Sequence, residues 1–117
     1  MNYCQDGVHL YFTTETQQFT YNIYGYYELQ PDYVNEKPYF QYGDYYGLWW
    51  GIDEWWIGQT SNKGQTFGMA YFGQDVFCPH MTSGQNFMLL GDGDTVWYTA
   101  GNDLHINCKH IFIKSKL

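Results

Sequence analysis

Residues Leu48 to Gly58, LWWGIDEWWIG, set four Trp around the four-residue connection Gly51, Ile52, Asp53 and Glu54. Short apolar runs on either side of a Gly-led polar link read as a β-hairpin. A symmetric register places Trp50 opposite Trp55 and Trp49 opposite Trp56, and because side chains alternate, each face of the ribbon carries one Trp pair. One pair fills the core. The other must be covered by a second layer, shielded by a loop, or left as an exposed aromatic platform with Asp44, Asp53 and Glu54 nearby. A platform would make Trp49, Trp50, Trp55, Trp56, Asp44, Asp53 and Glu54 the candidate ligand-binding residues, with rings stacking on sugars or on a partner's apolar groups and carboxylates accepting hydrogen bonds from hydroxyls. In the alternative, both pairs are core, the commoner fate of large aromatics.

Outward from the hairpin, apolar runs rich in Tyr, Phe, Trp, Val and Ile are broken every 8 to 12 residues by Gly, Asn, Asp or Pro. That spacing predicts an all-β single domain, an antiparallel β-sandwich or small barrel with little or no helix. Expected strands are Val8 to Phe12, Phe19 to Tyr24, Tyr26 to Leu29, Pro38 to Tyr42, Tyr46 to Trp50, Trp55 to Gly58, Gln65 to Phe72, Asn86 to Leu90, Thr95 to Thr99 and Leu104 to Ile113. No helix-length segment repeats apolar residues at i, i+3, i+4 and i+7 without a Gly, so at most one short helical turn is expected. In Gln65 to Phe72, Phe67, Met69 and Tyr71 share one face, and Gly68 and Ala70 leave room on the other for a cross-strand ring. The domain runs over residues 1–108, and residues 109–117 form a C-terminal strand or tail.

Composition excludes several partners. The 117 residues carry a net charge of −7, 22% aromatics and only 15% charged side chains. There is no Arg to make bidentate phosphate or guanine contacts, so no nucleic-acid partner is expected. Lys occurs only at 37, 63, 109, 114 and 116, which disfavours an anionic membrane surface, and no apolar run is long enough for a membrane-spanning helix. Residues Met1 to Phe12 lack the basic start and apolar stretch of a signal peptide, so either Met1 is the native start or a leader was removed. No Asn opens a glycosylation sequon.

Chemistry-bearing motifs are sparse. Ser61, Ser83 and Ser115 lie outside any Gly-x-Ser-x-Gly context, and no glycine-rich phosphate loop precedes a helix, so neither enzymatic activity nor a cofactor is expected. Asp44 with Asp53 or Glu54 is the one acid–base pair worth naming for glycoside chemistry. Cys78 and His80, with Cys108 and His110, place Cys and His two residues apart twice, hence on one face of a strand each, a weak alternative for a zinc site. The turns Gly91-Asp92-Gly93-Asp94 and Gly101-Asn102-Asp103 read as hairpin turns rather than calcium loops. Residues Ser115-Lys116-Leu117 spell the peroxisomal address.

The landmarks Cys4, Gly25-Tyr26-Tyr27-x-Leu29, Val34-Asn35-x-Lys37-Pro38-Tyr39, Leu48-Trp49-Trp50, Trp56-Ile57-Gly58, Ala70-Tyr71, Cys78-Pro79, Trp97 and Ile106-x-Cys108 span nearly the whole chain. In this series the chain resembles a Tyr/Trp-rich module found, often in tandem, in extracellular proteins of invertebrates. It departs from that pattern in lacking the Arg of an Asn-Gly-Arg-Pro turn and in its tail beyond Cys108. The resemblance implies secretion, a non-enzymatic role and a disulfide between Cys4 and Cys108, with Cys78 as the spare free thiol. Such a bridge stabilises by up to about 4–5 kcal/mol in the chain-entropy model. The resulting expectation is a secreted or surface adhesion-type module that binds carbohydrate or protein through aromatics. The alternative is a structural subunit that self-associates through residues 109–117 into an extracellular assembly, and the third reading is a small peroxisomal protein.

Overall fold

The computed structural model describes residues 6–12, 23, 25–73, 75–79, 88–91, 96–99 and 104–108. Its strands are β1 (Gly7–Phe12), β2 (Gly25–Val34), β3 (Lys37–Tyr42), β4 (Tyr46–Trp50), β5 (Trp55–Gln59), β6 (Ala70–Phe72), β7 (Met88–Gly91), β8 (Val96–Thr99) and β9 (Leu104–Cys108). All pair antiparallel in one sheet ordered β8-β7-β6-β5-β4-β3-β2-β1-β9. Strands β1 to β8 are therefore a meander, and β9 returns to β1, with Cys108 opposite Val8 and Leu104 opposite Phe12.

That order forces curvature. The two edges, β8 and β9, are consecutive in the chain, and the five steps from Thr99 to Leu104 span at most ~18 Å. Nine strands laid flat at ~4.8 Å spacing would hold the edges ~38 Å apart. The sheet must curl until its edges approach, which selects the barrel-like member of the expected pair of architectures.

The central hairpin has the register its sequence predicts: Trp50 opposite Trp55, Trp49 opposite Trp56 and Leu48 opposite Ile57. Its connection closes with Gly51 N donating to Glu54 O at 2.8 Å. Strands β2 and β3 join through Asn35 and Glu36, whose φ values of 52° and 72° give the two-residue turn that matches strand twist. The Asn35 side chain donates to Trp50 O at 2.6 Å and to Gly64 O at 3.2 Å, tying this turn to the hairpin and to the loop after β5. Pairing of β2 with β3 shifts register between Leu29 and Tyr33, the interval that holds Pro31, which has no N–H for a ladder bond.

Alternation along the strands builds two apolar clusters. The inner one contains Val8, Leu10, Tyr27, Phe40, Leu48, Trp50, Trp55, Ile57, Phe72 and Ile106, together with Ile23. The outer one contains Val34, Tyr39, Trp49 and Trp56, with Tyr71 packed against it. Residues 60–69 cover this outer cluster as a strap that begins with the 3-10 turn Thr60–Asn62. Lys63 Nζ lies 4.7 Å over the Tyr39 ring and bonds Asp32 at 3.1 Å, and Trp49 Nε1 donates to Gln65 O at 2.8 Å.

The strap corrects one expected strand. Gln65 to Phe72 alternates in sequence, yet only Ala70–Phe72 pairs with β5. Met69 N bonds Ile57 O at 2.8 Å while Ala70 is already opposite Ile57, an extra residue of the kind that makes a bulge and bends the chain off the ladder. Gly68 lies against β5 backbone, where a Cβ would come within 2.5 Å of Ile57 O, so no cross-strand ring covers it. Rings cover other glycines: Tyr42 lies over Gly25, Tyr39 over Gly47 and Trp56 over Gly51. The expected strand Phe19 to Tyr24 falls outside the described residues except for Ile23, which is buried but not in a strand. Residues 109–117, with the Ser115-Lys116-Leu117 motif, also lie outside them, as does most of both Asp-bearing turns.

Candidate functional site

All four hairpin Trp are interior. Relative exposure is 0% for Trp49 and Trp55, 6% for Trp50 and 8% for Trp56. Trp50 and Trp55 meet edge to face at 5.6 Å within the inner cluster. Trp55 Nε1 has no hydrogen-bond partner among the described residues. That omission costs about 1–3 kcal/mol, less than the ~5 kcal/mol released by burying a ring of ~200 Å². Trp49 and Trp56 belong to the outer cluster, and the strap closes over them. The open Trp platform is thus not the arrangement found: ten residues of loop supply the cover that the hairpin cannot supply itself.

The acids expected beside that platform are not brought together either. Asp44 is in the β3–β4 turn, whereas Asp53 and Glu54 are in the connection at the far end of β4. The five residues of β4 separate them by ~16 Å, beyond the ~5–9.5 Å over which two carboxylates flank a glycosidic bond. Among the described residues no three His, Cys, Asp or Glu cluster as a metal site. Of the weak zinc set, Cys78 is buried, Cys108 is placed by its backbone in β9, and His80 and His110 lie outside the described residues. Cys4, the expected partner of Cys108, lies outside them too.

What the fold does assemble is a tyrosine-lined end. Strands β2, β3 and β4 bring Tyr27, Tyr42 and Tyr46 together, with ring centroids 5.4 Å apart for Tyr27 and Tyr42 and 6.3 Å apart, stacked, for Tyr42 and Tyr46. Tyr45 leans edge-on against Tyr46 at 4.9 Å and is 54% exposed. The Tyr27 hydroxyl donates to Ile23 O, and burial pushes its pKa well above the usual phenol value, with Tyr42 and Tyr46 adding to the shift. Burial, then the neighbouring Tyr45 and Tyr42, also raise Tyr46. The Tyr27 and Tyr46 phenols therefore stay protonated.

The turn bearing Tyr45 is pinned. Gln59 Nε2 donates to the Tyr45 hydroxyl at 2.5 Å, Thr60 N to Tyr45 O at 2.8 Å and Thr60 Oγ1 to Asp44 O at 2.9 Å. Gln41 Nε2 donates to Gly43 O at 3.0 Å. The result is a fixed, exposed aromatic beside the exposed Asp44 carboxylate and the Gln59 amide. Of the seven ligand-binding candidates read from the sequence only Asp44 belongs here. Tyr45, Tyr46, Tyr42 and Gln59 were missed, although YGDYYG, from Tyr42 to Gly47, shows in the sequence as a Gly-Asp turn flanked by three Tyr.

Among the described residues no helix is long and apolar enough to cross a membrane. Compared with known proteins, the chain matches no family model, no curated protein and no solved structure.

Proposed function

We propose that the protein is a non-enzymatic extracellular binding module that recognises carbohydrate at its tyrosine-lined end. The observation that carries this reading is Tyr45, an aromatic more than half exposed yet held by its hydroxyl, its carbonyl and its ring. An exposed ring already fixed in place loses little conformational freedom when a ligand stacks on it. The neighbouring groups suit a neutral polyol: Asp44 accepts from sugar hydroxyls, Gln59 donates and accepts, and phenols do both. The extracellular setting rests on the resemblance to secreted Tyr/Trp-rich modules.

The test is a glycan-array screen followed by NMR titration of the best oligosaccharide against the wild type and Tyr45→Ala. Tyr45 is exposed, so the variant should keep its fold while losing about tenfold or more in affinity, the equivalent of ~1.4 kcal/mol of stacking. A broad panel without binding, or binding that leaves the resonances of Tyr45 and Asp44 unmoved, would refute the assignment.

A further inference from the structure

The geometry points to Tyr45 as an oxidative cross-linking site, at which a haem peroxidase with hydrogen peroxide joins two copies of this chain through their tyrosine rings. Tyr42 and Tyr46 feed it. Four phenols form an unbroken series from the core to the surface. Tyr27 lies in the inner cluster with its ring 5.4 Å from Tyr42, Tyr42 stacks on Tyr46 at 6.3 Å, and Tyr46 meets Tyr45 at 4.9 Å. These are the separations of rings in contact. Electron transfer weakens steeply with distance, and across such contacts it is fast.

Direction along the series is set by where a proton can leave, because oxidising a phenol to its neutral radical releases one. Tyr27 is fully buried and its hydroxyl is committed to Ile23 O. Burial raises the pKa of Tyr27 and Tyr46 above the usual phenol value, so both hold their protons. Tyr45 is 54% exposed, and its proton passes to water. Its oxygen accepts from Gln59 Nε2 at 2.5 Å, a bond that does not use the phenol's own proton and survives when that proton is lost.

Each step balances. A radical on Tyr46 takes an electron from Tyr45 and regains a proton from water, while Tyr45 gives its proton to water. Two Tyr45 radicals then bond through ring carbons ortho to their hydroxyls, and the hydrogens on those carbons move to the phenol oxygens to restore both rings. The peroxidase takes one electron and one proton from each chain and reduces one hydrogen peroxide to two waters. Tyr33 supplies the comparison. It is 57% exposed, as open as Tyr45, but its ring lies 6.3 Å from Phe77, which has no phenol to pass a radical on. Exposure alone would treat the two tyrosines alike, whereas the series of phenols favours Tyr45.

The test treats the full chain, without sugar, with a haem peroxidase and hydrogen peroxide and maps the linked peptides of the covalent dimer by mass spectrometry. Links between Tyr45 rings should predominate over links at Tyr33, and Tyr45→Phe, which keeps the ring, should lose most of the dimer. Tyr42→Phe combined with Tyr46→Phe should lose most of it too, while acetylation of Tyr45 by N-acetylimidazole, a reading of exposure alone, stays at the wild-type level. No dimer, links spread evenly over Tyr33 and Tyr45, or links centred on another tyrosine would overturn the proposal. So would a double variant that cross-links like the wild type, or one whose losses of cross-linking and acetylation match, since accessibility would then account for the yield. Because no sugar is present, failure here leaves the carbohydrate reading standing.

Discussion

Trp49→Ala should destabilise the protein by about 3–5 kcal/mol, read as a fall in the midpoint of urea unfolding. The magnitude follows from three losses at once. Trp49 is fully buried between β4 and the strap, so the substitution leaves a ring-sized void. Its Nε1–H is the hydrogen bond that holds Gln65 O, and without it a strap carbonyl loses its partner. Its ring also lies against Gly47 and Gly58, where added Cβ atoms would come within 3.4 Å and 3.0 Å of it, so these glycines would border the void. A domain of this size is stable by about 5–15 kcal/mol in total. Trp49→Phe should cost markedly less, because most of the apolar contact survives and only the Gln65 bond is lost.

The second large effect comes from the strap itself. Gly68→Ala should cost about 3 kcal/mol, the upper end of the overpacking range. The new methyl would sit 2.5 Å from Ile57 O and 3.1 Å from Ile57 C, and these are backbone atoms of a paired strand that cannot rotate away. Relief requires the strap to lift, which uncovers Trp49 and Trp56. Gly43→Ala is the control: nothing lies within 4 Å of its added Cβ, and only its φ of 64° is unfavourable. It should cost about 1 kcal/mol, the usual penalty for a left-handed non-glycine residue. Thermal unfolding of the two variants side by side measures the difference. Equal effects would mean that the strap does not pack on β5 as closely as its geometry implies.

The parts of this fold legible from the sequence are those set by near neighbours. Glycine and polar breaks mark the meander, and the symmetric spacing about Gly51 to Glu54 gives the hairpin register residue for residue. The fate of the outer Trp pair was not legible, because the cover comes from residues 60–69 and its own alternation imitates a strand. What betrays the strap is a backbone approach at Gly68 that only three dimensions reveal. The tyrosine-lined end was half legible. Asp44 was singled out for its proximity to Trp in sequence, and the fold gave it Tyr45 and Gln59 instead. Asp53 and Glu54 were singled out for the same reason, and one strand length carries them to the other end.

The hairpin tryptophans are interior on both faces, which leaves Tyr45 as the exposed aromatic on which the proposed recognition rests. Acrylamide quenching of tryptophan fluorescence in a Trp97→Phe protein tests this most directly, since only Trp49, Trp50, Trp55 and Trp56 then emit. Interior tryptophans should give blue-shifted emission and uniformly weak quenching that becomes strong only on unfolding. A component quenched nearly as well as free tryptophan in the native protein would contradict it, because one Trp pair would then lie open to solvent.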